Sequence, residues 1–143
     1  MPRLFLVGED MIIGIGTDIV EIDRVAKAIK GEAFVKRVFT PAEAEYCRSR
    51  KAGMTASFAG RFAAKEAIMK ALGTGLREGS LTELEIINDQ LGCPQVRLTG
   101  RFGEIAKEKG MISCHISISH SMAYATAQCV MEGQEQGKGE EKS

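Results

Sequence analysis

The 143-residue sequence has no excess of one charge and no long apolar run. Its 19 basic and 19 acidic residues give a formal net charge of zero, which provides no whole-chain argument for binding nucleic acid or a membrane. The short apolar run at residues 4–7 does not reach the length of a signal-peptide core, and no small-residue cleavage site follows it. The length favours one domain, which we expect to be cytoplasmic and to bind neither nucleic acid nor membrane.

Cysteine spacing typical of a metal site is also missing. The four cysteines are far apart in the sequence, at Cys47, Cys93, Cys114 and Cys129, unlike the close pairs of zinc-binding motifs. We expect reduced thiols, as in cytoplasmic proteins. Two of them lie in predicted apolar strands, where cysteine packs as a small hydrophobic residue.

The order of predicted elements favours an α+β fold. Apolar periodicity predicts one strand, three helices, a hairpin, a further helix and two final strands, without an internal repeat. Because the strands are too far apart in sequence for a regular βαβ series, we predict a small antiparallel sheet packed with helices. The predicted domain spans residues 11–131. Residues 1–10 are interpreted as an N-terminal extension, and the Gly-, Gln-, Glu- and Lys-rich residues 132–143 as a disordered tail.

The first predicted strand carries a candidate metal ligand. In residues 11–21 isoleucines alternate with Gly14, Gly16 and Asp18, so the two glycines and the carboxylate share one face. The glycines clear that face for a bulky anion or a hydrated metal ion to approach Asp18. The alternative is that Asp18 caps a turn or a helix, the commoner role of a carboxylate at a strand end.

The long helix predicted at residues 58–72 carries a second carboxylate. At 100° per residue, Glu66 shares one face with Ala59, Phe62, Ala63 and Lys70. A carboxylate among small and apolar side chains usually meets a cation or a metal. Mg²⁺ prefers one or two carboxylates together with substrate phosphates and waters. The alternative is an ordinary pairing of Glu66 with Lys70, four residues on.

Two further segments are candidate binding sites. The Gly-Thr-Gly sequence at residues 73–75 ends the predicted helix, and its backbone N–H groups could cradle an anion, although an ordinary helix end is the commoner outcome of such a sequence. In residues 115–121 serines alternate with isoleucines before His120. A single histidine at a strand end is more often structural, and we interpret His115 as structural.

Three of these segments together resemble a known family. Residues 14–21 (Gly-Ile-Gly-Thr-Asp-Ile-Val-Glu), 60–67 (Gly-Arg-Phe-Ala-Ala-Lys-Glu-Ala) and 117–121 (Ser-Ile-Ser-His-Ser) resemble holo-acyl-carrier-protein synthase, the small bacterial type of 4'-phosphopantetheinyl transferase, in residues, order and spacing. The resemblance covers roughly residues 11–130. It implies transfer of 4'-phosphopantetheine from coenzyme A to a serine of an apo acyl carrier protein, with release of adenosine 3',5'-bisphosphate, in support of fatty acid biosynthesis.

The resemblance also implies roles for individual residues. Asp18 and Glu66 would hold Mg²⁺, or Mn²⁺, and act in catalysis with Lys70, because such chemistry depends on neutralising phosphate charge and on alignment. Lys65 is a further candidate for a phosphate contact. The turn before Pro94 departs from the family pattern, since Cys93 stands where a basic residue is usual. Contacts to coenzyme A are expected from Arg61, Lys70, Gly73, Thr74, Gly75, Pro94, His120 and Ser121. For Arg61 and Lys65 the alternative is a solvated helix side.

A basic segment is the candidate surface for the protein partner. Residues 23–38 contain five basic and two acidic residues, a net charge of +3 on a chain that is neutral overall. Acyl carrier proteins are strongly acidic, so Arg24, Lys27 and Lys30 would steer and orient them. The alternative is a solvated helix face.

The resemblance further implies a homotrimer with coenzyme A bound between neighbouring subunits. Asp18, Glu66 and Lys70 would come from one chain, and His120 with Ser121 from the next. The long helix is apolar or small on nearly every side, which indicates burial on several sides, and a chain of this length has limited core to bury it alone.

Two other functions could use residues of these segments. A dinucleotide-binding loop at Gly14 and Gly16 lacks a third glycine opening a helix and a following βαβ unit. A metal-dependent nucleotide pyrophosphate hydrolase could use both carboxylates, but it would not require a carrier protein.

Overall fold

The computed structural model of the protein describes residues 10–75 and 78–134. Strands β1, β5 and β4 form an antiparallel sheet in that order, and β2 and β3 form a separate hairpin. This arrangement confirms the predicted α+β class. The elements are β1 (Met11–Glu21), α1 (Ile22–Ala28), α2 (Glu32–Val38), α3 (Pro41–Ser49), α4 (Met54–Leu72), β2 (Leu84–Asn88), β3 (Pro94–Leu98), α5 (Gly100–Glu108), β4 (Met111–His120) and β5 (Tyr124–Gly133).

One helix and two boundaries differ from the sequence-based expectations. Helix α2 was not predicted; it has seven residues and begins without a side-chain cap, so it lacks the usual start signal. Helix α4 begins at Met54, four residues before the predicted start. Strand β5 extends to Gly133, two residues beyond the expected domain boundary at 131. Most of the expected extension (1–9) and tail (135–143) lies outside the described residues.

Helix α4 is the centre of the fold. It packs against the inner face of the β1-β5-β4 sheet on one side and against α1, α3 and β2 on others. Its alanines at 59, 63, 64 and 67, together with Phe58 and Ile68, are at most 1% exposed. The prediction of burial on several sides is confirmed. The single chain achieves it alone, so this burial gives no argument for a neighbouring subunit.

Helix α4 approaches β1 as closely as two backbones allow. A Cβ atom on Gly14 would lie 2.2 Å from the carbonyl oxygen of Ala71, and one on Gly16 would lie 2.0 Å from that of Ala67. Real Cβ atoms do not approach so closely, so both positions require glycine. The expectation that these glycines make room for a ligand is therefore wrong: they make room for the helix.

A buried ion pair connects α4 to α3 and to the start of β2. The Lys65 side chain is fully buried and donates to Glu43 Oε1 (2.8 Å), to the carbonyl of Leu81 (3.0 Å) and to that of Leu84 (2.9 Å). Glu43 also accepts from the backbone of Ile86 (2.8 Å). Burial lowers the pKa of Lys65, and the Glu43 carboxylate opposes this shift.

The same glutamate completes the predicted start of α3. Glu43 Oε1 accepts from the Thr40 backbone (2.9 Å), and Thr40 Oγ1 accepts from the Glu43 backbone (3.2 Å), which is the capping box expected from the sequence. Lys65 is thus a structural residue, and the suggestion that it contacts a phosphate or lies on a solvated helix side is wrong.

Replacing Lys65 should destabilise the fold strongly. Lys65→Met leaves the Glu43 carboxylate buried without its cation, which should lower the free energy of unfolding by about 3–5 kcal/mol in urea denaturation. The exposed Lys36→Met is the matched control and should change it by less than about 0.5 kcal/mol. The double variant Lys65→Met/Glu43→Gln should recover part of the loss. If Lys65→Met and Lys36→Met had equal free energies of unfolding, the structural role of Lys65 would be contradicted.

Candidate active site

Asp18 and Lys70 meet where β1 faces α4. Asp18 follows Gly16 on the inner face of β1, and its side chain is 17% exposed. Lys70 lies near the end of α4 and is 55% exposed. Its Nζ donates to Asp18 Oδ1 (3.2 Å) and to the carbonyl oxygen of Thr17 (2.9 Å). The close contact at the two glycines brings these residues together.

Glu66 adds a second carboxylate to this cluster. Burial raises the pKa of Glu66, the nearby charge of Asp18 raises it further, and Lys70 opposes both effects. Among the described residues, Lys70 forms its ion pair with Asp18 and not with Glu66. The alternative of a simple Glu66–Lys70 pair is therefore not what the structure shows.

Two carboxylates beside one lysine leave a net negative charge that a divalent cation would relieve. Asp18 and Glu66 are oxygen ligands of the kind that Mg²⁺ prefers, and Mg²⁺ usually takes one or two carboxylates together with phosphate oxygens and waters. Within residues 10–75 and 78–134, no group of three or more His, Cys, Asp or Glu residues has a metal-binding arrangement. The donor set fits a Mg²⁺ ion shared with a phosphate-containing substrate.

The turn after α4 is engaged in ending the helix. Gly73 has a left-handed conformation (φ 75°), its N–H donates to the carbonyl of Lys70 (3.0 Å), and the N–H of Thr74 donates to that of Met69 (3.1 Å). These two N–H groups are therefore not the anion cradle we expected. Thr74 Oγ1 is buried without a hydrogen-bond partner in the described part of the chain. Contacts of Gly73, Thr74 and Gly75 with coenzyme A stay a prediction.

A pocket of about 390 Å³ lies between α3, α4, the β2–β3 hairpin and β4. Its lining includes three of the predicted contact residues, Arg61, Pro94 and His120. Arg50 contributes a second guanidinium, and no aspartate or glutamate is among the lining residues. Such a cationic lining suits an anionic ligand.

Arg61 is buried, and neutral groups hold it. Arg61 is only 5% exposed. The alternative that it lies on a solvated side of the helix is therefore wrong. The guanidinium carbon lies 4.5 Å from the centre of the Tyr46 ring, and Nη2 donates to Asn88 Oδ1. The Nε atom is buried without a hydrogen-bond partner among the described residues.

Sequence reasoning missed Tyr46, Arg50 and Asn88. They belong to the end of α3, the residue after it and the end of β2, and no local pattern distinguishes them from other polar or aromatic residues. Only the tertiary structure brings them to Arg61.

His120 ends β4 at the edge of this pocket. Its Nδ1 lies 3.3 Å from the carbonyl oxygen of Ser121, so Nδ1 carries the hydrogen in that contact. Ser121 Oγ accepts from the backbones of Ala123 and Tyr124 (3.3 Å each). The Ser121 hydroxyl thus shapes the β4–β5 turn, and its contact with coenzyme A stays a prediction.

His115 has a different environment. Its Nε2 lies 2.9 Å from Glu132 Oε1 and 3.1 Å from Ser113 Oγ. The strand register places all three residues on the outer face of the sheet, away from α4. This agrees with a structural interpretation of His115.

The predicted site residues fall into two groups at opposite edges of the sheet. Asp18 lies on edge strand β1, while His120 lies on the other edge strand, β4. With β5 between them, the two strands are about 10 Å apart. The pocket lining includes none of Asp18, Glu66 and Lys70. One chain therefore presents two separate halves, a carboxylate cluster and a cationic pocket.

The three predicted docking residues are exposed. Arg24 and Lys27 lie on α1, and Lys30 lies in the turn that follows. Arg24 also lines a groove of about 500 Å³ whose lining includes Phe34 and Phe62. Phe62 precedes Glu66 by about one helical turn on α4, and the groove lining itself includes neither Asp18 nor Glu66.

The chain is similar in sequence to proteins of one known family. The family model described as the 4'-phosphopantetheinyl transferase superfamily matches residues 14–129. The holo-[acyl-carrier-protein] synthase of Trichlorobacter lovleyi is 49% identical over 125 residues, covering 85% of this chain and 98% of that protein. The protein of the same name from Ruminiclostridium cellulolyticum is 48% identical over 120 residues, covering 82% of this chain and 90% of that protein.

Solved structures with the same fold are also similar. An acyl carrier protein synthase of Plasmodium yoelii with ADP bound superimposes with a TM-score of 0.80 at 35% identity, covering 90% of this chain and 100% of that one. A holo-(acyl-carrier-protein) synthase of Bacillus anthracis in complex with CoA (3',5'-ADP) gives a TM-score of 0.72 at 39% identity, covering 87% and 99%.

Proposed function

Because the chain belongs to the 4'-phosphopantetheinyl transferase superfamily, we propose that it moves 4'-phosphopantetheine from coenzyme A to a serine of an apo acyl carrier protein. Adenosine 3',5'-bisphosphate is the second product, and the holo carrier protein serves fatty acid biosynthesis. The observation that carries this function is the meeting of Asp18 and Glu66 beside Lys70. The hydrolase alternative gains no support from relatives that are synthases.

The carboxylate cluster is the proposed centre of the reaction. Asp18 and Glu66 are the residues that would hold Mg²⁺, and the ion would supply positive charge and alignment at the pyrophosphate of coenzyme A. Lys70 is more than half exposed, and exposed ion pairs contribute little free energy. It can therefore turn from Asp18 to a phosphate oxygen at small cost.

The cationic pocket is the proposed site of the nucleotide end of coenzyme A. Arg50, Arg61 and His120 provide charge and hydrogen-bond donors for its phosphate groups. Pro94 lies in the same lining and offers an apolar surface to the adenine.

The outer face of the sheet supports a homotrimer. Ile12, Ile15 and Ile19 on β1 are 60–68% exposed, and the register places Val130 beside Ile15 on this face. Exposed apolar patches of this kind mark protein interfaces. In the proposed trimer the carboxylate cluster of one subunit faces the cationic pocket of the next, so that coenzyme A contacts both halves.

The docking surface is proposed from charge and position. Arg24, Lys27 and Lys30 present exposed positive charge to an acidic carrier protein, and Arg24 lines a groove that also includes Phe62, one helical turn before Glu66. Within the described residues no helix is long and apolar enough to cross a membrane. The four cysteines are free thiols, which fits the proposed cytoplasmic location.

Removing either carboxylate should abolish the reaction. Asp18→Ala and Glu66→Ala should lower the rate of transfer by roughly 10²-fold or more, because both act on the charge that develops at the phosphates. The mass of a co-incubated apo carrier protein measures the transfer. Wild-type activity should require Mg²⁺ or Mn²⁺. Full activity after thorough metal removal in chelator would refute the metal site.

A companion measurement distinguishes lost chemistry from lost folding. Because the pKa of Glu66 is raised above its ordinary value of 4.5, the folded protein loses stability as pH rises through that raised pKa. Glu66→Gln removes this penalty. In chelator at neutral pH it should melt a few degrees above the wild type, and below pH 4.5 the difference should vanish. A Glu66→Gln variant that melts well below the wild type would instead make Glu66 a stability residue.

Reversing the charge of the docking surface should weaken binding of the carrier protein. Arg24→Glu/Lys27→Glu should raise the KM for carrier protein roughly tenfold while leaving the affinity for coenzyme A nearly unchanged. The wild-type rate should fall with salt, since exposed charges are screened beyond about 10 Å at 0.1 M. Lys107→Glu/Lys109→Glu on and after α5 is the matched control. If Arg24→Glu/Lys27→Glu has wild-type kinetics at low salt, this surface does not bind the carrier protein and is only a solvated helix face.

Mixing two inactive variants should restore activity if the site is shared. Asp18→Ala lacks the carboxylate half and His120→Ala lacks part of the pocket half. After subunit exchange, some interfaces of mixed trimers contain both intact halves, so part of the activity should return. Native mass measurement should show a trimer. A monomer at working concentration, or no recovery despite proven exchange between two nearly inactive variants, would contradict the shared site.

A further inference from the structure

We propose that Tyr46 and Asn88 are positioning residues that hold the guanidinium of Arg61 in the pocket wall, where it binds a phosphate group of coenzyme A. The proposal rests on the proposed function, because it assumes that this pocket takes the nucleotide end of the substrate. The three side chains come from α3, β2 and α4, and two contacts join them: the guanidinium of Arg61 lies over the Tyr46 ring and donates to Asn88.

The side chains that contact Arg61 fix the position of its guanidinium group without neutralising its charge. A guanidinium this deeply buried usually needs a carboxylate. The salt bridges among residues 10–75 and 78–134 do not include Arg61. Its contacts are the face of an aromatic ring, at 4.5 Å, and an amide oxygen. Both attract a cation, and neither carries a formal charge.

The charge and one donor of Arg61 are left uncompensated by the described residues. Its Nε is buried and has no partner in the described part of the chain, and a buried donor without a partner is costly. The pocket of about 390 Å³ contains no acidic side chain in its lining. Arg61 also lines a smaller cavity of about 240 Å³, whose lining includes Asp89. An anion in the larger pocket would supply the negative charge that the described residues around Arg61 do not provide.

Asn88 also connects Arg61 to the hairpin turn. While Oδ1 accepts from Arg61, Nδ2 donates to the carbonyl oxygen of Gly92 (3.0 Å). Gly92 and Pro94 line the same pocket on either side of Cys93, the residue that stands where a basic side chain is usual in the family. Arg61 and Arg50 therefore supply the guanidinium charge of this pocket, and the position of Arg61 depends on Asn88 and Tyr46.

The first test compares substitutions that keep and remove each contact. Binding of adenosine 3',5'-bisphosphate is measured by calorimetry, and KM for coenzyme A and kcat by carrier-protein mass. Tyr46→Leu removes the ring and should weaken binding roughly three- to tenfold, whereas Tyr46→Phe should bind within about twofold of the wild type. Asn88→Asp places a negative charge on Arg61 and should weaken binding roughly tenfold. In each weakened variant KM rises and kcat at saturating coenzyme A is retained.

A double-mutant cycle then asks whether Asn88 acts through Arg61. Asn88→Ala should weaken binding in the wild-type background, but it should change binding by less than about twofold in an Arg61→Gln background. Arg101→Gln, an exposed arginine on α5, is the matched control for Arg61→Gln. Asn88→Ser replaces Asn88→Ala if melting curves show that the alanine variant is not folded.

The outcomes separate this proposal from the proposed function. If the wild type neither binds adenosine 3',5'-bisphosphate nor modifies a carrier protein, the proposed function fails. If the wild type does both, the positioning role is overturned by either of two results. One is wild-type binding by Tyr46→Leu and Asn88→Asp; the other is an undiminished effect of Asn88→Ala in the Arg61→Gln background.

Discussion

The contact between β1 and α4 determines where Asp18, Glu66 and Lys70 meet, which is the proposed site of the reaction. Without side chains at Gly14 and Gly16, the strand lies against the carbonyl oxygens of Ala71 and Ala67. This separation is too small for any other residue. It places Asp18, two residues further along the strand, beside the last turns of the helix, where Glu66 and Lys70 lie. A wider spacing would separate the two carboxylates.

Four charged residues of α4 differ in role because their surroundings differ. Lys65 is buried with a carboxylate and two carbonyls, so its charge is neutralised and serves stability. Arg61 is buried with neutral partners, so its charge stays available to a ligand. Burial raises the pKa of Glu66, and the neighbouring carboxylate of Asp18 raises it further; a divalent cation would relieve this repulsion. Lys70 is exposed and can exchange one oxygen partner for another.

The separation of the two halves follows from the order of strands in the sheet. Because β5 lies between β1 and β4, the carboxylate cluster and the cationic pocket lie at opposite edges of the sheet within one chain. The exposed isoleucines of β1 lie on the outer face of the same sheet. An assembly through that face would bring edges of different subunits together, which is the physical basis of the proposed shared site.

The sequence by itself determined the α+β class, the capping box at Thr40 and Glu43, and the candidates Asp18, Glu66 and Lys70, because each depends on residues near one another in the chain or on a recognisable motif. Periodicity shows which side chains share a face, but not what lies opposite them. The meeting of Lys70 with Asp18, the burial of Lys65 and the stacking of Arg61 on Tyr46 join residues 15 to 52 positions apart. Only the tertiary structure decided these contacts, since desolvation and neighbouring charge depend on the complete packing.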